Sequence, residues 1–165
     1  MTNCSEYLLD DLMAITAIPI DDFNLGTLSW QITPTIPSSS FSPTTLTHAI
    51  VIGQKPATEG GKLIHIKRLT GKAKDSEGDA TAGRLHTVSV SCTADERDDS
   101  VWDNLLLLER TPCHLLLSFR DGRRAFVKAT KDTYICEVER DGAKTSVQFK
   151  IQNLMGVQPI LAQST

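Results

Sequence analysis

Residues 134–151 read YICEVERDGAKTSVQFKI, two alternating runs around an Asp-Gly pair. Taking Asp141-Gly142 as a two-residue hairpin loop sets Arg140 opposite Ala143, Glu139 opposite Lys144, Val138 opposite Thr145, Cys136 opposite Val147 and Tyr134 opposite Phe149. Tyr134, Cys136, Val138, Val147, Phe149 and Ile151 then share one apolar side. Glu137, Glu139, Lys144, Ser146, Gln148 and Lys150 take the wet side. Two sides that separate this cleanly predict an antiparallel sheet with one buried face.

Outward from that hairpin, Thr111–Ile160 reads as four consecutive antiparallel strands, with a first hairpin at Asp121-Gly122. A two-residue loop there puts Arg120 opposite Arg123, with Arg124 one step along. Like charges opposite each other destabilise a sheet. Either the tip is splayed and solvated, or an acidic surface of another subunit, Asp95 to Asp99 or loop acids, neutralises it. In the same hairpin Leu117 and Phe126 are expected on one side and Leu116 and Val127 on the other, so it needs cover on both faces.

Upstream, Asp98, Asp99 and Ser100 provide caps for a helix whose stripe is Val101, Trp102, Leu105 and Leu108, ended by Pro112. Leu106 and Leu107 widen the stripe, which predicts cover on more than one side. Strands are predicted at Thr27–Thr33, Leu46–Gly53, Lys62–Leu69 and Arg84–Thr93, with a Gly60-Gly61 turn and a proline- and serine-rich connection over Pro34–Pro43. Ser5–Ala14 reads as a short helix with Leu8, Leu9, Leu12 and Met13 on one side. Residues 1–20 are therefore expected as an N-terminal arm or short helix, and 21–165 as one β-rich domain. The fold class is mainly β: a sandwich or barrel of about seven to nine antiparallel strands with one short helix near 99–110.

Between Leu69 and Leu85 the chain carries Gly71, Gly78 and Gly83 and almost no apolar side chain. Its bases come first (Lys72, Lys74) and its acids second (Asp75, Glu77, Asp79). A long hairpin loop is expected over 69–85, either floppy or ordered against a neighbouring copy.

The totals restrict function more than they assign it. At 165 residues, 40% hydrophobic and 22% charged, the chain has the composition of a globular domain. A formal net charge of -3 argues against general nucleic-acid affinity, and sequence-specific nucleic-acid binding is not expected. The four cysteines, Cys4, Cys92, Cys113 and Cys136, contain no Cys-x-x-Cys pair, so neither a disulfide framework nor a zinc site is expected and a reducing compartment is the simpler reading. No run approaches the ~20 apolar residues of a membrane span, and acids in Met1–Asp11 replace the basic start of a signal peptide.

Chemistry leaves few marks. His48, His65, His86 and His114 all fall in predicted strands, where a packed or surface histidine is the plainer reading. Gly-x-Ser-x-Gly and phosphate-loop spacings are absent, no cofactor or metal is expected, and Asp95, Glu96, Asp98 and Asp99 suit helix capping better than calcium. A catalytic role is not expected. The residues singled out are interface candidates: Lys72, Lys74, Asp75, Glu77, Asp79, Arg120, Arg123 and Arg124. Two alternatives stay open: a monomeric small-ligand or carbohydrate-binding β-barrel with Trp30 or Trp102 in a pocket, and an enzyme using Cys113 or Cys136 with a histidine.

The element order resembles the tail-tube fold of phage tails and related contractile injection systems, which includes tube, distal-tail and baseplate ring proteins. The matching positions are Lys62–Leu69, Arg84–Thr93, the loop between them, the helix Asp99–Arg110 and the strands from Cys113 to Asn153, about residues 27–160 overall. The ending Asn153–Ile160 is also similar to those of phage structural proteins. The resemblance implies a homo-oligomer, commonly a hexameric ring, whose sheets join edge to edge while loops reach the next ring. Other tail or baseplate proteins would be partners, and the virion, assembled in the host cytoplasm, the location.

Overall fold

In the computed structural model the described residues are 6–9, 12–22, 36–37, 48–53, 62–65, 69–80, 83–95, 99–120, 122–141 and 144–161. They form β1 (Glu6–Leu9), β2 (Leu12–Pro19), β3 (Ile36–Pro37), β4 (Ile50–Gly53), β5 (Lys62–His65), β6 (Leu69–Ala80), β7 (Gly83–Asp95), α1 (Asp99–Arg110), β8 (Cys113–Phe119), β9 (Arg124–Val127), β10 (Tyr134–Asp141), β11 (Lys144–Asn153) and β12 (Val157–Leu161). One sheet has the order β1-β6-β7-β11-β10, the other β3-β12-β9-β8-β2-β4-β5. Two pairings, β3 with β12 and β4 with β5, are parallel. The fold is mainly β, as expected, with more strands than expected. Both sheet orders are open among the described residues, so this is a sandwich-like arrangement and not a closed barrel. The strand expected at Thr27–Thr33 and the Gly60-Gly61 turn lie outside the described residues.

The alternating run at 134–151 forms a hairpin whose register is displaced by two residues. Asp141 faces Lys144, Val138 faces Val147, Cys136 faces Phe149 and Tyr134 faces Ile151. Asp141 pairs with Lys144 and so belongs to the strand, not to a loop with Gly142. A shift of two preserves every face. Tyr134, Cys136, Val138, Val147, Phe149 and Ile151 are buried, while Glu137, Glu139, Ser146, Gln148 and Lys150 are exposed.

At the β8–β9 hairpin the slip is one residue, and one residue changes more. At the turn Gly122, at φ 93, donates its N–H to Phe119 O at 3.0 Å, and Phe119 N–H donates to Arg123 O at 2.9 Å. Ser118 faces Arg124, Leu117 faces Ala125 and Leu116 faces Phe126. The expected sides are thus exchanged, and Leu116 shares a face with Phe126. Arg123 falls opposite Phe119, its guanidinium carbon 5.8 Å from the ring centroid, so Arg120 and Arg123 do not oppose each other.

The N-terminal segment is a correction too. In place of a helix over Ser5–Ala14, Glu6–Leu9 joins the five-stranded sheet and Leu12–Pro19 lies inside the other, between β8 and β4. Glu6–Leu9 and Leu12–Pro19 are therefore parts of the two sheets and not a helix beside them. Ile15, Thr16 and Ile18 are β-branched and buried, and a strand covered on both faces loses the alternation that would have identified it. The predicted strand Lys62–Leu69 also divides: Lys62–His65 pairs with β4, and Leu69 opens β6.

Between the sheets lies one core: Ile15, Ala17, Leu115, Leu117 and Val127 from one, Val88, Val90, Val147, Phe149 and Ile151 from the other. Helix α1 adds Leu105 and Leu108 and closes the β10 margin. Val138 N–H donates to Glu109 Oε1 at 2.7 Å, and Tyr134 OH donates to Leu108 O at 2.7 Å. A side-chain acceptor on a strand-margin N–H is one way to blunt an edge. Of the two residues expected to widen the helix stripe, Leu106 is half-buried against the core and Leu107 is 51% exposed.

The second face of β2, β8 and β9 is buried as well, and it holds His114 against Phe126 with ring centroids 5.4 Å apart. His114 Nδ1 accepts the Ala129 N–H at 3.0 Å. Burial first, and then the Lys128 charge, pushes this imidazole down from 6.5 to about 4. The unfolded chain therefore binds a proton between these values that the folded chain refuses, and stability rises with pH across that window. The contribution, about 3 kcal/mol, is complete above pH 6.5 and is lost as pH falls toward about 4. Urea midpoints measured from pH 7.5 to 4.5 are expected to fall more steeply for wild type than for His114→Gln, which keeps an acceptor but does not titrate; parallel curves would exclude the assignment.

Candidate functional site

The expected loop at 69–85 is instead a long antiparallel hairpin. β6 and β7 pair from Leu69 opposite Ala94 to Ala80 opposite Gly83. Of the described β6 side chains, Ala73 is the one that enters the core, which is why its sequence looked like a loop. β7 alternates well and templates the poorer strand. Among the described residues, neighbouring strands flank only the root. β1 pairs with β6 at Ala73–Ser76, and β11 pairs with β7 at His86–Asp95. Among the described residues, 77–80 and 83–85 therefore extend past both neighbours as a two-stranded finger, about 13 Å beyond Ser76 at the usual rise per residue.

At the root of the finger sits a polar latch. Asp75 is 8% exposed, and its Oδ1 accepts the His86 Nδ1–H at 2.9 Å. Its Oδ2 accepts the backbone N–H of Val157, the first residue of β12 in the other sheet, at 3.0 Å. Asn153 secures the reversal between the sheets: its Oδ1 accepts the Gly156 N–H, and its Nδ2 donates to Lys128 O at 2.8 Å. Gly156 has φ 65, and a Cβ there would fall inside contact distance of the Asp75 carboxylate and the His86 ring. Only glycine fits this backbone.

Asp75 shares the core-side face with its register partner Val88, whereas Lys72 and Lys74 lie on the outer face. Asp75 is a correction in its role as well, because it is buried and engaged within the chain. Lys72 is exposed and Lys74 half-buried; the side chains of Glu77 and Asp79 lie outside the described residues. Arg120 and Arg123 are exposed at the β8–β9 turn, and Arg124 is half-buried, its pKa lowered by that burial.

That turn lies at the far end of the molecule from the finger. Phe119, beside the turn, pairs with Leu12, and Leu12 packs against Gly71; Val127, at the other end of β9, pairs with Val157, whose N–H binds Asp75. Gly71 and Ala80 are nine residues apart on one strand, about 30 Å. Finger and arginine turn thus point in opposite directions along the strands.

The thiols are arranged for packing. Cys92 is pushed up to about 12 by burial and by neighbouring Cys136. Cys136 is pushed up to about 12, chiefly by burial, against the opposing hydrogen bond from Tyr134. Cys113 Sγ donates to Thr111 O at 3.1 Å. Cys113 and Cys136 both lie by the Tyr134 hydroxyl, whose own pKa burial raises, and the His114 ring is on the opposite face of β8 from Cys113. Activated nucleophiles have lowered pKa values; those of Cys92 and Cys136 are raised. Trp30 and the side chain of Trp102 lie outside the described residues, and no group of three or more metal-ligating side chains occurs among the described ones.

Sequence reading missed the latch. Asp75 and His86 are eleven residues apart, and the Asn153–Gly156 reversal that completes the site carries one signal, a glycine before a strand. Comparison with family models, curated proteins and solved structures finds no match for this chain.

Two outcomes are expected. Gly156→Ala should lower stability by about 3 kcal/mol, combining a positive-φ penalty with displacement of a buried carboxylate, read from denaturant unfolding; a loss under about 1 kcal/mol would show that the latch is not rigid. Labelling by a thiol reagent, followed by mass spectrometry, should modify Cys92, Cys113 and Cys136 no faster than the chain unfolds.

Proposed function

We propose that this chain is a non-enzymatic structural subunit of a phage tail or related injection apparatus, assembling into a homo-oligomeric ring through sheet margins and the finger. The observation that carries this reading is the finger itself. Residues 77–80 and 83–85 leave both neighbouring strands and continue as a ribbon paired only within itself among the described residues. A lone two-stranded hairpin is marginal in water and gains stability only against a further surface. A latch of a buried carboxylate, a histidine and a backbone amide holds the root, so the direction of the finger is set before it meets anything.

Opposed ends fit repetition. Arg120 and Arg123 are exposed at one end, the finger projects from the other, and contact between unlike ends of identical subunits generates rings or stacks. Other tail or baseplate proteins would meet the same two ends, within a virion assembled in the host cytoplasm. Raised thiol pKa values and a core filled by side chains from both sheets favour a structural role over catalysis or a ligand-holding barrel.

Replacing residues 78–85 by Asn-Gly keeps Asp75, Glu77 and His86 and closes the hairpin where its neighbours end. The shortened chain is expected to fold with a melting temperature within a few degrees of wild type, yet to lose the ring-sized species seen by light scattering and negative-stain imaging. Retention of that species in the shortened chain, or a wild-type chain that never forms it, would overturn the reading.

A further inference from the structure

The outer face of the five-stranded sheet has a charge order of its own. Lys72, Ser91, Gln148 and Glu137 are successive register partners across β6, β7, β11 and β10. Lys74, Ser89, Lys150 and Ile135 form the next row on the same face. Between these margins the central strand shows only hydroxyls: Thr87, Ser89, Ser91 and Thr93. Lys72 and Glu137 stand three strand spacings apart, about 14 Å, too far to pair within one chain. Neither makes an ion pair among the described residues.

We infer that this face pairs with the same face of a second copy, about a two-fold axis that runs parallel to the strands between β7 and β11. That operation lays each row over its own reverse. Lys72 meets Glu137 of the second copy and Glu137 meets its Lys72, so each row supplies the ion pair twice. In the next row Lys74 lies over Ile135 of the second copy, covering a large apolar side chain that is 52% exposed in one chain, and Lys150 lies over Ser89. No like charges meet in either row. Facing sheets are rotated by about 30° through their twist, so the match belongs to the central rows, those of Ser89 and Ser91.

The four overlapping strands and the ten residues of β11 outline a face of ~19 Å by ~33 Å, or about 630 Å² per partner, toward the lower end of specific interfaces. Its polar centre implies a wet, salt-sensitive contact. A polyanion is the less suitable occupant: Glu137 and Glu139 share the face with the lysines, and a uniform anion would meet both. The contact uses no residue of 77–85 and none of the arginine turn, so it is independent of the finger.

Charge exchange tests the inference in the full-length chain. By sedimentation equilibrium, Lys72→Glu and Glu137→Lys are each expected to weaken pairing at least tenfold, because each places like charges together twice. The double exchange K72E/E137K should recover affinity to within about threefold of wild type, and the chain with residues 78–85 replaced by Asn-Gly should still form the dimer. Three results would overturn it: pairing indifferent to either single exchange, a double exchange no better than the singles, or a monomer that instead binds an oligothymidylate in a salt-dependent manner.

Discussion

A carboxylate taken out of water must be met by donors, and Asp75 is met by two from different parts of the chain. His86 comes from the partner strand of the same hairpin, Val157 from the first residue of the strand that enters the other sheet. Leaving such a group unpaired costs several kcal/mol, so the geometry that satisfies it is strongly selected over near alternatives. Gly156 makes the approach possible because any side chain there would occupy the space of the carboxylate and the ring. The crossing between sheets, the root of the finger and the start of β12 are therefore one constraint seen from three sides.

Edges are handled differently at the two sides of the same sheet. At β10 a helix lies along the margin, and Glu109 accepts the Val138 N–H that a bare edge would offer to another chain. On the other side, among the described residues, β1 covers Ala73–Ser76 of a strand that runs from Leu69 to Ala80, so one margin is closed and the other extends beyond its cover.

The two hairpins separate what turn chemistry can and cannot tell. Both contain Asp-Gly, and in neither does that pair form the two-residue loop it suggests. At β10–β11 the error of two residues was harmless, because the period of a strand is two and faces survive. At β8–β9 the error of one residue exchanged faces and created an apparent arginine conflict. There Leu115, Leu116 and Leu117 are all buried, so the apolar pattern had no polar phase with which to correct the register.

From residues alone, the mainly β character, the helix Asp99–Arg110 and the buried face of Tyr134–Ile151 were legible, since each rests on a periodicity that neighbours along the chain enforce. The interior place of Leu12–Pro19, the extension of Leu69–Ala80 as a strand and the Asp75–His86–Gly156 latch were decided only by tertiary structure. A strand buried on both sides has no alternation to read, and a glycine-rich strand takes its order from its partner. A buried polar cluster joins groups as far apart as Asp75 and Val157, 82 residues along the chain, and such contacts leave no local trace.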